Sequence, residues 1–391
     1  MPNEERLTRM RRAMASERLD ALVLRLPENV LLLSGFWPMI GATYLVFPVD
    51  GEPHCIVPAC YEAEASGSLW KMTASYYRYG VLGANPDAAV LEILSSIARS
   101  NRWARVGFEG SFEVAAPPWN TAEVLVPAAQ TRKLLDTVFQ GADLVDVTAL
   151  LQSQRRTKTP YEIDKLRFAS EISSIGLKSF EDLVAPGITG VELAAAVERD
   201  IMVYGTLKHG AFRARAFAQV AVGPEETAVG YRPNEVSTAR KLESGDVALL
   251  ELGVVVDGYW ADRTRVRVAG TPTEEQLKIF NIVRDAQESA VKAIHAGAKA
   301  SSVDEAARRV IRGAGYAEWF PHITGHGLGF RYHESSPLLS PSSSEVLEEG
   351  VLTSVEPGIY RKPSGGFRLE DDIIVTKDGA EVLGPYPMSL A

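Results

Sequence analysis

At 391 residues the chain is long for one hydrophobic core, so two domains are expected. Apolar content of 46% and charged content of 23% are those of an ordinary globular protein. A net charge of −9 and a pI near 5.4 argue against a nucleic-acid or anionic-membrane partner.

The opening MPNEERLTRMRR lacks an apolar core and does not read as a signal peptide. Residues 5–19 read as an amphipathic helix. ALVLRL then reads as a buried strand, and TYLVFPVDGEPHCIVP as a hairpin turning at Asp50-Gly51. Between them, VLLLSGFWPMI is too short to cross a membrane and is broken by Gly35 and Pro38. Helices are expected around 60–72 and 86–99, then the strand ARVGFEG, the helix PPWNTAEVLVPA and a closing DLVDVTALLQSQR. The only cysteines, Cys55 and Cys60, read as reduced thiols, which fits a cytoplasmic protein. Residues 1–150 hold a single histidine, His54, and no carboxylate constellation, so this domain is expected to shape and assemble the molecule rather than to catalyse.

From Arg155 the pattern changes, and residues 151–391 read as a second domain. RRTKTPYEIDKLRFASEISSIGLKSFEDLV is a long helix with Pro160 in its first turn, where proline is tolerated. VAPGITGVELAAAVERDIMVYG follows as a Gly-broken turn and a helix. The same grammar returns later as IHAGAKASSVDEAARRVIRGAGY. Two such copies predict an α+β domain of two related halves with a site between them.

Between the copies lies DVALLELGVVVDGYWADRTRVRVAG, where Asp257-Gly258 predicts a two-residue turn. That turn pairs Val256 with Tyr259 and Gly253 with Asp262. Glu251 then becomes the diagonal neighbour of Asp262 on one face. Two carboxylates sharing a face of apolar strands repel unless a cation lies between them. Further on, Glu356 ends the apolar strand in GVLTSVEPGIY, and Glu370 follows Arg368 in GGFRLEDDIIVT. The stretch PHITGHGLGFRYHESSP adds His322, His326 and His333, three of the six histidines, among glycines that allow close backbone approach. Glu251, Asp262, His326, Glu356 and Glu370 make a mostly oxygen site with one imidazole. That set suits manganese, iron, cobalt or zinc in a bridged pair better than a structural zinc. Two ions ~3.5–4 Å apart hold a hydroxide nucleophile and polarise a carbonyl, so hydrolysis of an amide or related bond is expected.

The order hairpin acid, hairpin acid, GHGLG…HE, VEPGIY and FRLED resembles the pita-bread metallopeptidases: methionine aminopeptidase, aminopeptidase P, prolidase and their metal-free relative creatinase. LDALVL…NVLLLSGF and VFPVDGEPHCIVP resemble the creatinase/prolidase α/β N-terminal domain, which favours the proline-specific branch. The resemblance implies a pita-bread catalytic domain with a pseudo-two-fold repeat. It also implies a cytoplasmic homodimer and one or two divalent ions, manganese, cobalt or zinc. It implies a metallo-exopeptidase acting on Xaa-Pro peptides with a metal-bound hydroxide, neither a nucleic acid nor a membrane being a partner. The metal would rest on Glu251, Asp262, His326, Glu356 and Glu370. Glu356 would also serve as general acid/base, His322 and His333 would donate to substrate, and Tyr360 would assist proton transfer. A proline-specific carboxypeptidase and a creatinase-like non-peptidase hydrolase are the alternatives.

Three departures from the family pattern stand out. Glu251 replaces the usual aspartate, and its added methylene shifts the carboxylate by ~1.5 Å. Gly230 stands where the family carries a histidine, with Tyr231 beside it as a substitute substrate contact. No arginine occurs in SSPLLSPSSSEVLEEG to grip a peptide carboxylate; Arg331 is the expected replacement, with Arg361 a weaker one, and Arg368 is expected near substrate as a partner of the carboxylates. Trp37, in SGFWPMIGA, is expected in core packing or a dimer contact, and by family analogy could reach a neighbouring subunit's site.

Overall fold

A computed structural model describes residues 3–111, 128–232 and 237–391. The chain divides into two compact units, Met1–Arg155 and Arg156–Ala391. The expected helix at PPWNTAEVLVPA falls almost wholly outside the described residues.

The first unit contains α1 (Glu4–Ser16), β1 (Ala21–Leu24), α2 (Pro27–Ser34), β2 (Tyr44–Pro48), β3 (His54–Pro58) and α3 (Glu62–Ser68). It continues with β4 (Thr73–Tyr77), α4 (Pro86–Asn101), β5 (Arg105–Phe108), α5 (Ala129–Val138), β6 (Asp143–Asp146) and α6 (Thr148–Arg156). Its strands form one sheet in the order β4-β3-β2-β1-β5-β6. The expected hairpin pairs Tyr44 with Ile56. β1, all apolar, is buried along its length, as a central strand between helical layers must be. Trp37 is buried, and its loop is held by the Tyr61 hydroxyl, which accepts the backbone N–H groups of Met39 and Ile40. Burial fits the core-packing expectation for this tryptophan, while Ile40 of the same loop is exposed.

The second unit opens with α7 (Pro160–Leu183), begun by Pro160 and a reciprocal capping box between Thr159 and Glu162. There follow α8 (Gly190–Asp200), β7 (Ala214–Val222), α9 (Gly223–Thr227), β8 (Val247–Val256) and β9 (Tyr259–Val268). The second helix pair is α10 (Glu274–Lys292) and α11 (Ala300–Gly313). The strands after it are β10 (Gly325–Gly327), β11 (Glu334–Leu339), β12 (Leu352–Val355), β13 (Gly358–Arg361), β14 (Gly365–Arg368), β15 (Asp371–Val375) and β16 (Ala380–Val382). Both helix pairs thus precede strands, as the sequence repeat predicts. β7-β8-β9 form one sheet, β11-β10-β12-β15-β16 a second, and β13-β14 a ribbon.

Two apolar clusters explain why the central hairpin is buried on both faces. Ala248, Leu250, Leu252, Val254 and Val256 pack toward the cluster containing α7 and α8. Val247 and Leu249 on the opposite face, with Val266 and Val268 of β9, join the cluster containing α10 and α11. With a side-chain period of two, Glu251 and Gly253 continue that second face on β8, and Asp262 and Thr264 continue it on β9. Polar groups there can only face an interior site.

Candidate active site

The turn at Asp257 (φ 49°) and Gly258 (φ 94°) has both central residues left-handed, the geometry that matches strand twist. It sets the expected register: Val256 opposes Tyr259 and Gly253 opposes Asp262, with Glu251 opposite Thr264. Asp262 and Thr264 face the site, while Arg263 and Arg265 point to the back.

β10 is the short strand Gly-His-Gly, hydrogen-bonded between β11 and β12. Its glycines are there for space. A β-carbon at Gly325 would lie 2.0 Å from the Ser354 carbonyl oxygen, and one at Gly327 would lie 2.1 Å from that of Ser336. His326 projects from this wedge with Nδ1 3.0 Å from the Gly327 carbonyl oxygen. A proton on Nδ1 leaves the Nε2 lone pair for a cation shared with the acids, and in its absence a second proton there bonds them: Nε2 is 3.4 Å from Glu356 Oε1 and 3.5 Å from Asp262 Oδ2. Glu356 follows β12 and accepts a 3.2 Å hydrogen bond from Ser354. Glu370, between β14 and β15, accepts a 2.7 Å bond from the Thr264 hydroxyl on Oε2.

Two oxygens are left over. Asp262 Oδ1 and Glu370 Oε1 are buried, and among the described residues no donor reaches either. An unpaired buried acceptor is costly, and here two sit in one acidic cluster. Among the described residues, ligand atoms of Asp262, His326 and His333 lie within 4.8 Å of one another, as do those of His326, Glu356 and Glu370. The residues fit a divalent cation: oxygen-rich, one imidazole, and excess negative charge with free lone pairs. Electrostatics agree. Burial, then the charges of Asp262 and Glu356, push the Glu370 carboxyl upward. Burial likewise raises Glu356. Burial raises Asp262 to about 7, against the pull of His326 and with Glu251 and Glu356 adding repulsion. Burial opposes the charging of His326, but its bond to Asp262 and the Glu356 charge carry it up to about 9.

Glu251, expected among the ligands, belongs to neither three-residue cluster. Its Oε1 accepts 2.9 Å from the Tyr332 hydroxyl and its Oε2 accepts 2.5 Å from Arg368 Nη2. Arg368, 2% exposed, also donates to the Tyr360 hydroxyl (3.0 Å) and to Thr264 (3.0 Å). Its expected partnership with the carboxylates is what the structure shows, and in place of a substrate contact its guanidinium is committed to protein partners.

His322 also departs from expectation. Nδ1 lies 2.7 Å from the Ile323 carbonyl oxygen and Nε2 lies 2.8 Å from the Tyr360 hydroxyl. With Arg368 donating to Tyr360, that hydroxyl donates to His322, so neither ring nitrogen has a proton for substrate. Burial and then the Arg368 charge lower His322 to about 3, which keeps it neutral. His333 is the more open histidine, with its side chain 28% exposed and Nε2 3.7 Å from Asp262 Oδ2. Burial, His326, Arg368 and Arg331 lower it to about 2. Arg331 is thus within electrostatic reach of His333, and it is half-buried.

Tyr231 packs edge-on against Tyr360 at 4.9 Å and lies 6.3 Å from His322. A side chain at Gly230 would instead meet Thr227, Ala221 and Leu249, so position 231 is the one turned to the site. His209 is exposed. Arg361 pairs with Glu275 and stacks over Trp319, which corrects its candidacy as a carboxylate grip.

Several contributors had only a weak sequence signal. Behind β9, the fully buried Arg263 and Arg265 both hold Asp371 Oδ1, at 2.9 and 2.7 Å, while Asp372 accepts the Asp262 backbone N–H at 3.1 Å. The alternation D-R-T-R in a buried strand, facing E-D-D, is the trace that could have revealed this. Tyr332 and Thr264 carried no signal beyond adjacency to His333 and Asp262.

Residues 164–377 match the model of metallopeptidase family M24, and residues 6–157 match the creatinase/prolidase N-terminal domain. A Staphylococcus aureus protein named "uncharacterized peptidase" is 35% identical over 255 residues, covering 65% of this chain and 70% of the relative. Among solved structures, the prolidase from Pyrococcus horikoshii OT3 superposes with a TM-score of 0.79 at 26% identity, over 99% of this chain and 100% of that one. An Xaa-Pro dipeptidase from Bacillus anthracis gives 0.80 at 27% identity, over 99% of both chains. An X-Pro aminopeptidase from Thermotoga maritima gives 0.78 at 25%, over 97% and 99%.

Proposed function

The chain belongs to metallopeptidase family M24, with the creatinase/prolidase N-terminal domain before a pita-bread domain, and from that premise we propose a metal-dependent exopeptidase that cleaves peptide bonds at proline. One observation carries the reading: two buried carboxylate oxygens, on Asp262 and Glu370, lack a donor among the described residues, and both acids belong to groups of ligand atoms that share His326, Glu370 together with Glu356. Those four residues would hold a divalent ion such as manganese, cobalt or zinc. When bound, such an ion supplies Lewis acidity, easing deprotonation of water and polarising a carbonyl oxygen. The preference for proline is supported by the solved relatives, which carry the names prolidase, Xaa-Pro dipeptidase and X-Pro aminopeptidase.

The chain's own residues supply the remaining work. Glu356, raised by burial, is suited to take a proton from the attacking water and return it to the departing proline nitrogen. His333, neutral and partly open, donates to the substrate carbonyl oxygen as charge develops there. Tyr360, fixed between Arg368 and His322, keeps one orientation and its proton, since burial raises it. Tyr231 walls the substrate side of that tyrosine, and Arg331 binds the peptide carboxylate as a fork. Arg368 positions Glu251 and Tyr360 rather than substrate.

A panel of Ala-Pro, Ala-Pro-Ala and N-blocked peptides, with added manganese, cobalt or zinc, tests the reading and assigns the end specificity. With Ala-Ala as the proline-free control, cleavage confined to the proline-containing peptides is expected. Failure to cleave any of them would end the peptidase reading. The metal-free, creatinase-like alternative is disfavoured by the two donor-less oxygens.

A further inference from the structure

Glu251 is the acid that should complete a two-ion site, and its surroundings are built to hold it elsewhere. Each of its oxygens receives a hydrogen bond from a buried donor, Tyr332 on one side and Arg368 on the other. The arrangement has its own packing. Gly253 lies two residues beyond Glu251 on the same strand face, and a β-carbon there would lie 2.6 Å from Tyr332 Cε2. The missing side chain is the seat of the Tyr332 ring, which also packs on Trp260 at 5.5 Å and His333 at 4.3 Å. Arg368 is anchored independently by Thr264 and Tyr360. The contrast among the acids is sharp: Asp262 and Glu370 each keep an oxygen without a donor, and Glu251 keeps none.

We infer that Tyr332 and Arg368 clamp the Glu251 carboxylate out of the ligand cluster, so that the site takes one divalent ion, on Asp262, His326, Glu356 and Glu370. Glutamate suits the clamp because its extra methylene carries the carboxylate ~1.5 Å further from β8 than aspartate would. The Arg368 charge already compensates Glu251, which leaves three carboxylates and one imidazole to a single cation. The inference rests on the metal reading of the proposed function and adds the ion count and the role of Glu251.

The test is the metal content of the full-length protein, stripped with chelator and equilibrated with saturating manganese, read by elemental analysis and by electron paramagnetic resonance. One manganese per chain with the spectrum of an isolated ion is expected. The E251Q variant should hold the same single equivalent, while D262N should lose it. Two equivalents with a spin-coupled spectrum in the wild type, falling to one in E251Q, would overturn the inference and leave the metal reading standing. No bound manganese at all would overturn both. Should E251Q fail to fold, as judged by circular dichroism, the wild-type count and spectrum still decide.

Discussion

At the scale of single residues, burial makes the ionised form of the acids of this site unfavourable, and either a proton or a cation relieves it. Asp262 is the clearest case: burial raises its carboxyl to about 7 from a normal value of 3.8. A carboxylate must be ionised to bind metal, so in the metal-free protein the proton competes with the ion. The sign follows directly. Below about pH 7 the carboxyl is protonated and metal binding must expel that proton; above it the ligand is ready. Manganese affinity should therefore climb from about pH 6 through about pH 9, where the raised His326 also gives up its proton, with protons released on binding. Titration calorimetry in buffers of different ionisation enthalpy measures this, and binding with no proton release would contradict the assigned ligand. The unreactive end of the scale is Cys55, buried with its thiol pushed up to about 12, whereas Cys60 is exposed; both are free.

At the scale of elements, the site exists because short strands approach each other closely enough to aim their ends at one point. β10 is the limiting piece. Replacing Gly327 by alanine drives a β-carbon to 2.1 Å from the Ser336 carbonyl oxygen, which neither strand can accommodate without moving apart. G327A should destabilise the protein by at least about 1–3 kcal/mol and displace His326, read as a lowered denaturation midpoint together with weakened metal binding. A midpoint equal to the wild type would show that the strand contact matters less than its geometry suggests. This is also the scale at which the sequence was most legible. An Asp-Gly turn sets register, so the diagonal relation of Glu251 to Asp262 could be read before any coordinates. Apolar strands ending in Glu356 and Glu370 marked acids with nowhere to go but inward. The clamp on Glu251 was not legible, because its partners lie 81 and 117 residues away and hydrogen bonds across such separations leave no periodic trace. The same holds for Arg263 and Arg265, whose partner Asp371 is 108 and 106 residues distant. His322 illustrates a different limit: its place beside the site was foreseen, but its partner Tyr360 takes the ring nitrogen assigned to substrate.

At the scale of the whole molecule, histidines and strand-end acids concentrate after Arg155, in the second of the two compact units. No described helix is long and apolar enough to cross a membrane. Its raised carboxyl means that Asp262 contributes less stability to the metal-free second unit as pH rises from the normal carboxylate range through about 7, because unfolding lets it ionise freely, while the lowered His322 and His333 contribute in the opposite sense below 6.5. A bound ion reverses the loss at Asp262. Saturating manganese, at about 100 times its dissociation constant, should add about 2.7 kcal/mol, seen as a higher melting temperature that D262N abolishes. An unchanged melting temperature on adding manganese would argue that no ion binds the native state. The most direct measurement of the central claim compares manganese-loaded wild type with E356Q on Ala-Pro and on Ala-Ala. The account predicts that the wild type cleaves Ala-Pro in preference to Ala-Ala and that E356Q loses at least about 100-fold in turnover. Equal turnover by E356Q, or no cleavage of Ala-Pro, would contradict it.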